Sequence, residues 1–341
     1  MIIKILKIIK NFIVLFFLFI LSFSAFSKNE INLYSARQEV LMRPLIDEFE
    51  NNTNIKVNII SAKANQLINR IIKEGEYTNA DILLTSDVAR LIAANKKKLL
   101  TKANSKELEK LVPDLYRDKN YKWIGLSLRA RFFVYNKENV NKYDLKGYFN
   151  LSSPQWKNKI LVRSSNNVYN QSLVAAMILN YGEEKVKTFL KNFVGNFARS
   201  PSGGDRDQIR AVLAGEGDIA LVNSYYFLKM KAKDDTNKYK SLEIHFPKDE
   251  KMLTHVNISG AAIIKYTKNY DNALKFLEFM VSDKAQSIYA NINYEYPIRS
   301  NTNINNFMSK YNNYEKDKLK LELVGKVNKK AMLLMDKAGW R

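Results

Sequence analysis

The sequence contains no cysteine and only two histidines, His245 and His255, in 341 residues. The lack of cysteine excludes disulfide bonds, thiolate metal sites and lipid attachment at a mature N-terminal cysteine. The two histidines do not have the HExxH spacing of a zinc protease, and we interpret them as structural residues. A GxSxG elbow and a phosphate-binding P-loop are also missing, and no acid, base and nucleophile occur together. The composition therefore argues against an enzyme.

Long apolar runs are confined to the beginning of the chain. Three lysines precede the apolar stretch Phe12 to Leu21, and Ala25 and Ser27 supply the small residues that a signal peptidase recognises. We predict a signal peptide over residues 1–27, with cleavage before Lys28. The alternative is an uncleaved membrane anchor, but a membrane span needs a longer apolar core of roughly 20 residues. The mature chain is therefore expected to be exported and to have no membrane span.

Acidic residues are also scarce relative to basic ones. The formal charge is +21, from 55 Lys and Arg against 34 Asp and Glu, and loss of three leader lysines lowers it to +18. Such a charge could indicate nucleic acid, an anionic membrane surface or an anionic ligand as partner. However, the lysines are scattered, and the only dense tract is Lys96 to Lys98. We interpret them as a solvated surface and predict no nucleic-acid partner.

The order of apolar segments predicts an α/β fold. Ile31 to Tyr34, Lys56 to Ile60 and Ala80 to Thr85 have the length and composition of strands, and amphipathic helical patterns separate them. This alternation is typical of a parallel sheet with helices on both faces. About 314 residues remain after cleavage of the leader, enough for two lobes that each have a core.

Two long extended segments, Trp123 to Asn136 and His255 to Ile264, could each run from one lobe to the other. Two such hinge crossings predict a hinged, bilobal protein rather than two independent domains. The predicted N-terminal lobe comprises residues 28–128 and 255–303, and the predicted C-terminal lobe comprises residues 129–254 and 304–341.

Tyrosines follow two strands of the predicted second lobe, where a helix begins. Tyr225 and Tyr226 follow the apolar strand Ile219 to Val222, and Tyr169 follows the strand Lys159 to Arg163. With 19 tyrosines in 341 residues, chance supplies about one Tyr-Tyr pair, so the position of these residues carries the argument. Ligands of open α/β sheets bind at the carboxyl ends of strands, and we expect the three phenols to converge there.

The surroundings of the tyrosine pair predict metal chemistry. Ser224 is placed to cap the helix that begins there, which would put both phenols in the first turn. The positive end of a helix should lower the pKa of a nearby phenol from its reference near 10. Three phenolates would form a hard, all-oxygen site that suits Fe(III), and metal binding would require loss of the phenolic protons. The alternative for each tyrosine is an ordinary core or rim aromatic.

Several segments along the chain resemble one family in their order and spacing, namely NLYSARQEVLMRPLIDEFE, ADILLTSDVARL, GLSLRARFFVYN, VYNQSLVAAM, SGGDRDQIRAVLAGEGDIALVNSYYF, THVNISGAAI and NYEYP. The chain resembles the periplasmic ferric-iron-binding proteins of bacterial ABC transporters, within the bilobal solute-binding superfamily with a type II-like fold. The likeness covers nearly the whole mature chain. It implies two α/β lobes that close on Fe(III) in the periplasm.

The resemblance also implies a set of ligands. Tyr225 and Tyr226 match the tandem tyrosines that bind iron in the family, and Tyr169 matches a third tyrosine found in one large branch. Some members carry a histidine and a tyrosine directly after the first arginine of the N-terminal motif. This chain has Gln38 and Glu39 at those positions, so two expected ligands are missing from the first lobe.

The branch that the chain most resembles completes the iron shell with a small anion, usually carbonate. Arg37 and Arg129 are our candidates for holding it, because guanidinium binds planar oxyanions in a bidentate manner. We include Gln38, which adjoins Arg37, in the predicted anion site, and Glu39 as a possible further metal ligand. The alternative for each arginine is a surface or interlobe salt bridge.

The resemblance therefore implies a monomeric periplasmic carrier that captures Fe(III) and delivers it to an inner-membrane ABC permease. A second interpretation keeps the fold but replaces the ligand by a small anion or an organic cation, such as a polyamine or thiamine. Two further classes are disfavoured. A secreted hydrolase lacks a catalytic constellation, and a basic adhesin or nucleic-acid binder lacks a dense basic tract.

Overall fold

The computed structural model describes residues 29–341, so the predicted signal peptide at residues 1–27 lies outside the described residues. The strands are β1 (Glu30–Ser35), β2 (Lys56–Ser61), β3 (Ile82–Thr85), β4 (Ile124–Asn136), β5 (Ile160–Leu161), β6 (Ile219–Asn223), β7 (Leu242–His245) and β8 (Val256–Ile263). The α-helices are α1 (Glu39–Thr53), α2 (Ala64–Glu74), α3 (Val88–Lys96), α4 (Lys106–Leu111), α5 (Val168–Tyr181), α6 (Glu183–Val194), α7 (Asp205–Leu213), α8 (Ser224–Ala232), α9 (Tyr270–Met280), α10 (Asp283–Asn291), α11 (Asn306–Ser309) and α12 (Leu321–Lys337). Within residues 29–341, no helix has the length and apolar character needed to cross a membrane.

The first three strands form the parallel sheet that the strand and helix alternation predicts. β1 lies between β2 and β3 and pairs with both in parallel. The side chains of Ile31, Leu33 and Tyr34 on β1 are fully buried, and the amphipathic helices cover them. The carboxyl ends of β1 and β3 therefore lie side by side, which is where α/β proteins bind ligands.

The two predicted crossing segments are neighbouring antiparallel strands. β4 pairs with β8 from Ile124 to Ala130, and from Arg131 onward it pairs with β6 and β7. β8 also pairs with β3, so the complete order is β2-β1-β3-β8-β4-β6-β5, with β7 beside β4. The sheet as a whole is therefore mixed rather than parallel. The correction arises because the long extended segments return in opposite directions.

The second half of the sheet differs in detail from the predicted pattern. β5 contains only Ile160 and Leu161, whereas the apolar pattern predicts a strand from Lys159 to Arg163. β7 was not predicted, because it has four residues and only Leu242 is fully buried. Short strands of this kind owe their conformation to the neighbour with which they pair rather than to their own sequence.

The C-terminal helix α12 packs against α5 and α3. Its contact with α3 is close, because a Cβ atom added at Gly325 would lie 2.6 Å from the side chain of Ile92. In the predicted division α5 belongs to the C-terminal lobe and α3 to the N-terminal lobe, so α12 contacts both. The lobe boundaries given above stay a prediction.

Candidate metal centre

Tyr225 and Tyr226 lie in the first turn of α8, directly after β6. The five residues of β6 are buried, and this fixes the point at which the chain turns into the helix. Tyr225 is only 4% exposed, and Tyr226 is partly buried. The two rings are 4.0 Å apart at their centroids and tilted by 31°. The two phenols therefore lie close enough to influence each other's pKa.

The prediction that Ser224 caps this helix is wrong. Asn223 occupies the N-cap position, and no side chain there accepts a hydrogen bond from the helix. The hydroxyl oxygen of Ser224 instead accepts a hydrogen bond from the backbone N–H of Ala130 at 3.2 Å. Ser224 thus ties the start of the tyrosine helix to the crossing strand β4, and both phenols still occupy the first turn.

Tyr169 is the second residue of α5, and its backbone is held by a helix cap. The side-chain oxygen of Asn167 accepts a hydrogen bond from the N–H of Tyr169 at 3.0 Å. The Tyr169 phenol lies close enough to Tyr225 and Tyr226 that its negative charge raises the pKa of both. The structure therefore brings together the three tyrosines that the sequence places on two separate segments.

The expected lowering of the phenol pKa is not observed. Burial raises the pKa of Tyr225 well above its usual value, and the charges of Tyr169 and Tyr226 raise it further. Burial and Tyr169 likewise raise the pKa of Tyr226. Desolvation and mutual repulsion outweigh the helix dipole, because the dipole supplies only about half a unit charge. Without a cation, Tyr225 and Tyr226 are protonated at neutral pH.

Three guanidinium groups surround the tyrosines. The Arg129 Cζ atom lies 5.1 Å from the centroid of the Tyr169 ring, and the Arg163 Cζ atom lies 5.8 Å from it. The Arg206 Cζ atom lies 4.8 Å from the Tyr226 ring. The charge of Arg129 lowers the pKa of Tyr225 and that of Arg163 lowers the pKa of Tyr226, but both effects are smaller than the effect of burial.

Arg37 and Arg129 meet at one serine on β8. Arg129 donates to the hydroxyl of Ser259 at 3.1 Å and to the carbonyl of Ile258 at 2.8 Å, and Arg37 also donates to Ser259. Both amino groups of Arg37 are in addition bound by the carboxylate of Glu295. Burial favours the neutral forms of this pair, but their attraction raises the pKa of Arg37 and lowers that of Glu295.

Each of these two arginines keeps one free donor. The Nε atoms of Arg37 and Arg129 are buried and have no hydrogen-bond partner among the described residues. A buried N–H group without an acceptor costs about 1–3 kcal/mol, so an oxyanion close to these atoms would be stabilised. Arg37 has already formed an ion pair, whereas Arg129 contacts only neutral oxygens and adjoins the Tyr169 ring. Arg129 is the better placed of the two predicted anion-binding residues.

Gln38 and Glu39 lie at the exposed start of α1. The Glu39 carboxylate is paired with Arg43 one turn along the helix, and both side chains are about half exposed. Gln38 occupies the N-cap position without a side-chain capping bond. The structure therefore leaves both residues on the surface, and their predicted roles as anion-binding residue and metal ligand stay predictions.

Several buried polar residues around the site were not predicted. Glu295 and Ser259 bind the predicted anion-site arginines, and Asp205 pairs with Arg131 and Arg163. Glu295 and Asp205 carry no pattern that separates them from solvated carboxylates. Arg131 does carry a signal, because it lies two positions after Arg129 in a mostly apolar strand, and residues with this spacing share one face of the strand.

The part of the chain that the structure describes contains no conventional cluster of metal ligands. Residues 29–341 contain no group of three or more His, Cys, Asp or Glu side chains that could hold a metal ion. The tyrosine cluster is therefore the only candidate metal centre that we identify in these residues. An all-oxygen donor set of this kind suits a hard, highly charged cation.

Comparison with known proteins identifies the family to which the chain belongs. Residues 78–317 match the family model described as bacterial extracellular solute-binding protein. The chain belongs to this family. The family consists of solute-binding proteins of transport systems rather than enzymes, which confirms the interpretation of the composition.

Several relatives carry the names of iron proteins. The chain is 39% identical to iron uptake protein A1 of Synechocystis, covering 92% of this chain and 88% of the relative. It is 30% identical to the major ferric iron-binding protein of Neisseria meningitidis, covering 79% and 81%. These relatives confirm the resemblance drawn from the sequence motifs.

Solved structures confirm the predicted α/β, bilobal, type II-like fold. The Trichodesmium protein in complex with iron and citrate ligands has a TM-score of 0.85 and 39% identity, covering 92% of this chain and all of that chain. The apo ferric ion-binding protein A of Pasteurella haemolytica has a TM-score of 0.87 and 41% identity, covering 92% and 98%.

Proposed function

We propose that this protein captures Fe(III) in the cleft between its lobes through the phenolate oxygens of Tyr169, Tyr225 and Tyr226. The proposal is supported mainly by the proximity of Tyr169 to the pair Tyr225 and Tyr226, whose pKa it raises. It is supported by the names of the relatives and by the lack of any other metal-ligand cluster among residues 29–341. Three phenolates neutralise the charge of Fe(III), and they leave positions in its coordination shell for further ligands.

A small oxyanion such as carbonate is proposed to fill those positions. Arg129 would hold it, because its guanidinium lies beside Tyr169 and its Nε atom is free. Arg37 would contribute its own free Nε atom while its amino groups remain bound to Glu295. The anion would therefore bind where two cationic groups and the metal meet, and iron and anion would stabilise each other's binding.

In the cell, the protein is proposed to act as a periplasmic monomer that delivers iron to an inner-membrane ABC permease. Membership of the solute-binding family supports a permease partner. The proposed lobes, residues 28–128 with 255–303 and residues 129–254 with 304–341, would close on iron by bending at β4 and β8. Binding would displace the protons of the buried phenols, so acidification should release the metal.

The test is addition of ferric nitrilotriacetate to the purified mature protein. We expect a visible absorption band from tyrosinate-to-iron charge transfer and measurable heat in calorimetry. Changing Tyr225 and Tyr226 together to Phe should abolish the band, and Tyr169→Phe should shift and weaken it. A matched control is Tyr116→Phe, because Tyr116 is also buried but lies near Asp317 instead of the site.

A colourless protein that takes up no Fe(III) would contradict the proposal. The alternative ligands, a small anion or an organic cation, would then be tested by melting-temperature shifts with and without iron. A shift with an organic cation that persists after loss of all three tyrosines would favour the alternative.

A further inference from the structure

Arg131 is a buried arginine at the point where β4 changes its pairing partner. Ala130 pairs with Val256 on β8, and the next residue, Arg131, pairs with Asn223 on β6. The residue is 1% exposed and therefore lies inside the protein rather than at the surface. A fully buried guanidinium requires several acceptors, and their identity shows what the residue holds in place.

The guanidinium group of Arg131 binds three separate segments. One amino group donates to the side-chain oxygen of Asn170 at 2.7 Å and to the carbonyl of Leu221 at 3.0 Å. The other donates to the carboxylate of Asp205 at 3.1 Å. These acceptors lie on α5, on β6 and at the start of α7, so one planar group fixes three elements relative to one another.

Two of these segments carry the tyrosines. Asn170 directly follows Tyr169, and its side-chain NH₂ group also donates to the carbonyls of Arg163 and Ser164 at 3.0 and 3.1 Å. Leu221 lies on β6, the strand that leads directly into the helix carrying Tyr225 and Tyr226.

Asp205 adds a second connection to the tyrosine pair. The carboxylate oxygen that binds Arg131 also accepts the backbone N–H of Asn223 at 2.8 Å, two residues before Tyr225. Arg131 is therefore the shared hydrogen-bond partner of both tyrosine-bearing segments.

We propose that Arg131 is a positioning residue that fixes the distance between Tyr169 and the pair Tyr225 and Tyr226, so that the three phenol oxygens can share one metal ion. The inference rests on the proposed function. Arg131 does not contact the metal in this proposal; it acts through Asn170, Leu221 and Asp205. The planar fork of arginine is needed, because a lysine ammonium at this position cannot bind acceptors in three directions with the same geometry.

The test compares Arg131→Lys with the wild type after loading with ferric nitrilotriacetate. The substitution keeps the positive charge beside Asp205 but removes the planar guanidinium group and its geometry of donors. We expect the charge-transfer band to shift and weaken, and the iron affinity to fall about tenfold or more, as for other partners of metal ligands. Combining Arg131→Lys with Tyr169→Phe should weaken binding little beyond Tyr169→Phe alone, because the lost positioning acts on Tyr169.

A second variant keeps the proposal testable if Arg131→Lys does not fold. Asn170→Ala removes one acceptor of Arg131 and leaves the ion pair with Asp205 intact. The matched control is Asn196→Ala, because the buried Asn196 amide also donates to two backbone carbonyls, at 2.9 and 2.8 Å, but has no contact with Arg131. Both variants should lose similar thermal stability, and only Asn170→Ala should alter the band and the affinity.

The outcomes separate this inference from the proposed function. If the wild type develops no charge-transfer band, the proposed function fails. If the wild type develops the band and the tested variants keep its position, its intensity and the iron affinity within about twofold, only the role of Arg131 is overturned. An equal change in Asn170→Ala and Asn196→Ala would also overturn it, because a general loss of stability would then explain both.

Discussion

The hydroxyl of Ser172 lies 3.0 and 2.8 Å from the two carboxylate oxygens of Asp87. Asp87 caps α3 by accepting the N–H of Ala89 at 2.8 Å, and Ser172 lies one turn beyond Tyr169 on α5. Both side chains are fully buried. In the proposed division the bond joins the N-terminal lobe to the C-terminal lobe beside the candidate metal centre.

Removal of this bond should weaken closure without altering the metal's ligands. For Ser172→Ala we expect faster transfer of iron to a competing chelator, by roughly tenfold, since a hydrogen bond to a charged group contributes about 1.5–3 kcal/mol. The charge-transfer band should keep its position. The control is Ser152→Ala, whose hydroxyl donates within its own segment to the carbonyl of Phe149 at 2.7 Å. A release rate equal to that of the control would contradict the prediction.

The pH dependence of stability should reveal the buried carboxyl of Asp87. Burial raises its pKa from 3.8 to about 6, so the folded protein binds this proton more tightly than the unfolded chain does. The favourable contribution is complete below about pH 3.8 and is lost as the pH rises through about 6. The ionised carboxylate then costs about 3 kcal/mol relative to a neutral side chain.

Asp87→Asn should therefore raise the melting temperature of the metal-free protein at about pH 8, because asparagine is neutral and also caps helices well. The difference from the wild type should shrink as the pH falls toward about 5. Thermal unfolding measured across this range tests the sign, and a variant that is less stable at high pH would contradict it.

Substitution of Arg37 should destabilise the protein more than substitution of Arg129. Arg37→Gln leaves the buried carboxylate of Glu295 without its partner, and breaking a buried pair in this way costs about 3–5 kcal/mol. Combining it with Glu295→Gln should restore part of the stability. Arg129→Gln breaks no direct ion pair and removes only a neighbouring positive charge that lowers the pKa of Asp87 and Glu295, so it should cost less.

Anion binding should instead depend more on Arg129 than on Arg37. We expect the charge-transfer band of the wild type to respond to added bicarbonate and the band of Arg129→Gln not to respond. Denaturant unfolding tests the predicted effects on stability, and bicarbonate titration tests the predicted effects on anion binding. An undiminished bicarbonate response in Arg129→Gln would remove this arginine from the anion site.

Iron uptake should release protons from the tyrosines. Burial keeps the pKa of Tyr225 and Tyr226 above the usual value, so both phenols must lose a proton when Fe(III) binds at neutral pH. In weakly buffered solution, loading should acidify the medium by at least two protons per iron after correction for the chelator. The double Phe variant should release none, and the absorption band should fade as the pH is lowered.

The sequence alone determined the fold class and the local surroundings of the candidate ligand tyrosines. Hydrophobic periodicity is a local property, and it predicted β1, β2, β3 and the two crossing strands to within a few residues. The motif around Tyr225 and Tyr226 is also a local property, because an apolar strand followed by a helix start involves only consecutive residues. Periodicity could not predict β7 or the antiparallel return of β8, since strand pairing is decided by partners distant in the chain.

Only the tertiary structure decided the electrostatics of the site. The pKa of the phenols depends on burial and on charges from other segments, so the helix start alone gave the wrong direction. The same holds for Arg37, which the motif marked as an anion-binding residue and the fold pairs with Glu295, 258 positions away in the sequence. Local sequence sets backbone conformation, but desolvation and ion pairing arise from side chains that meet only when the chain has folded.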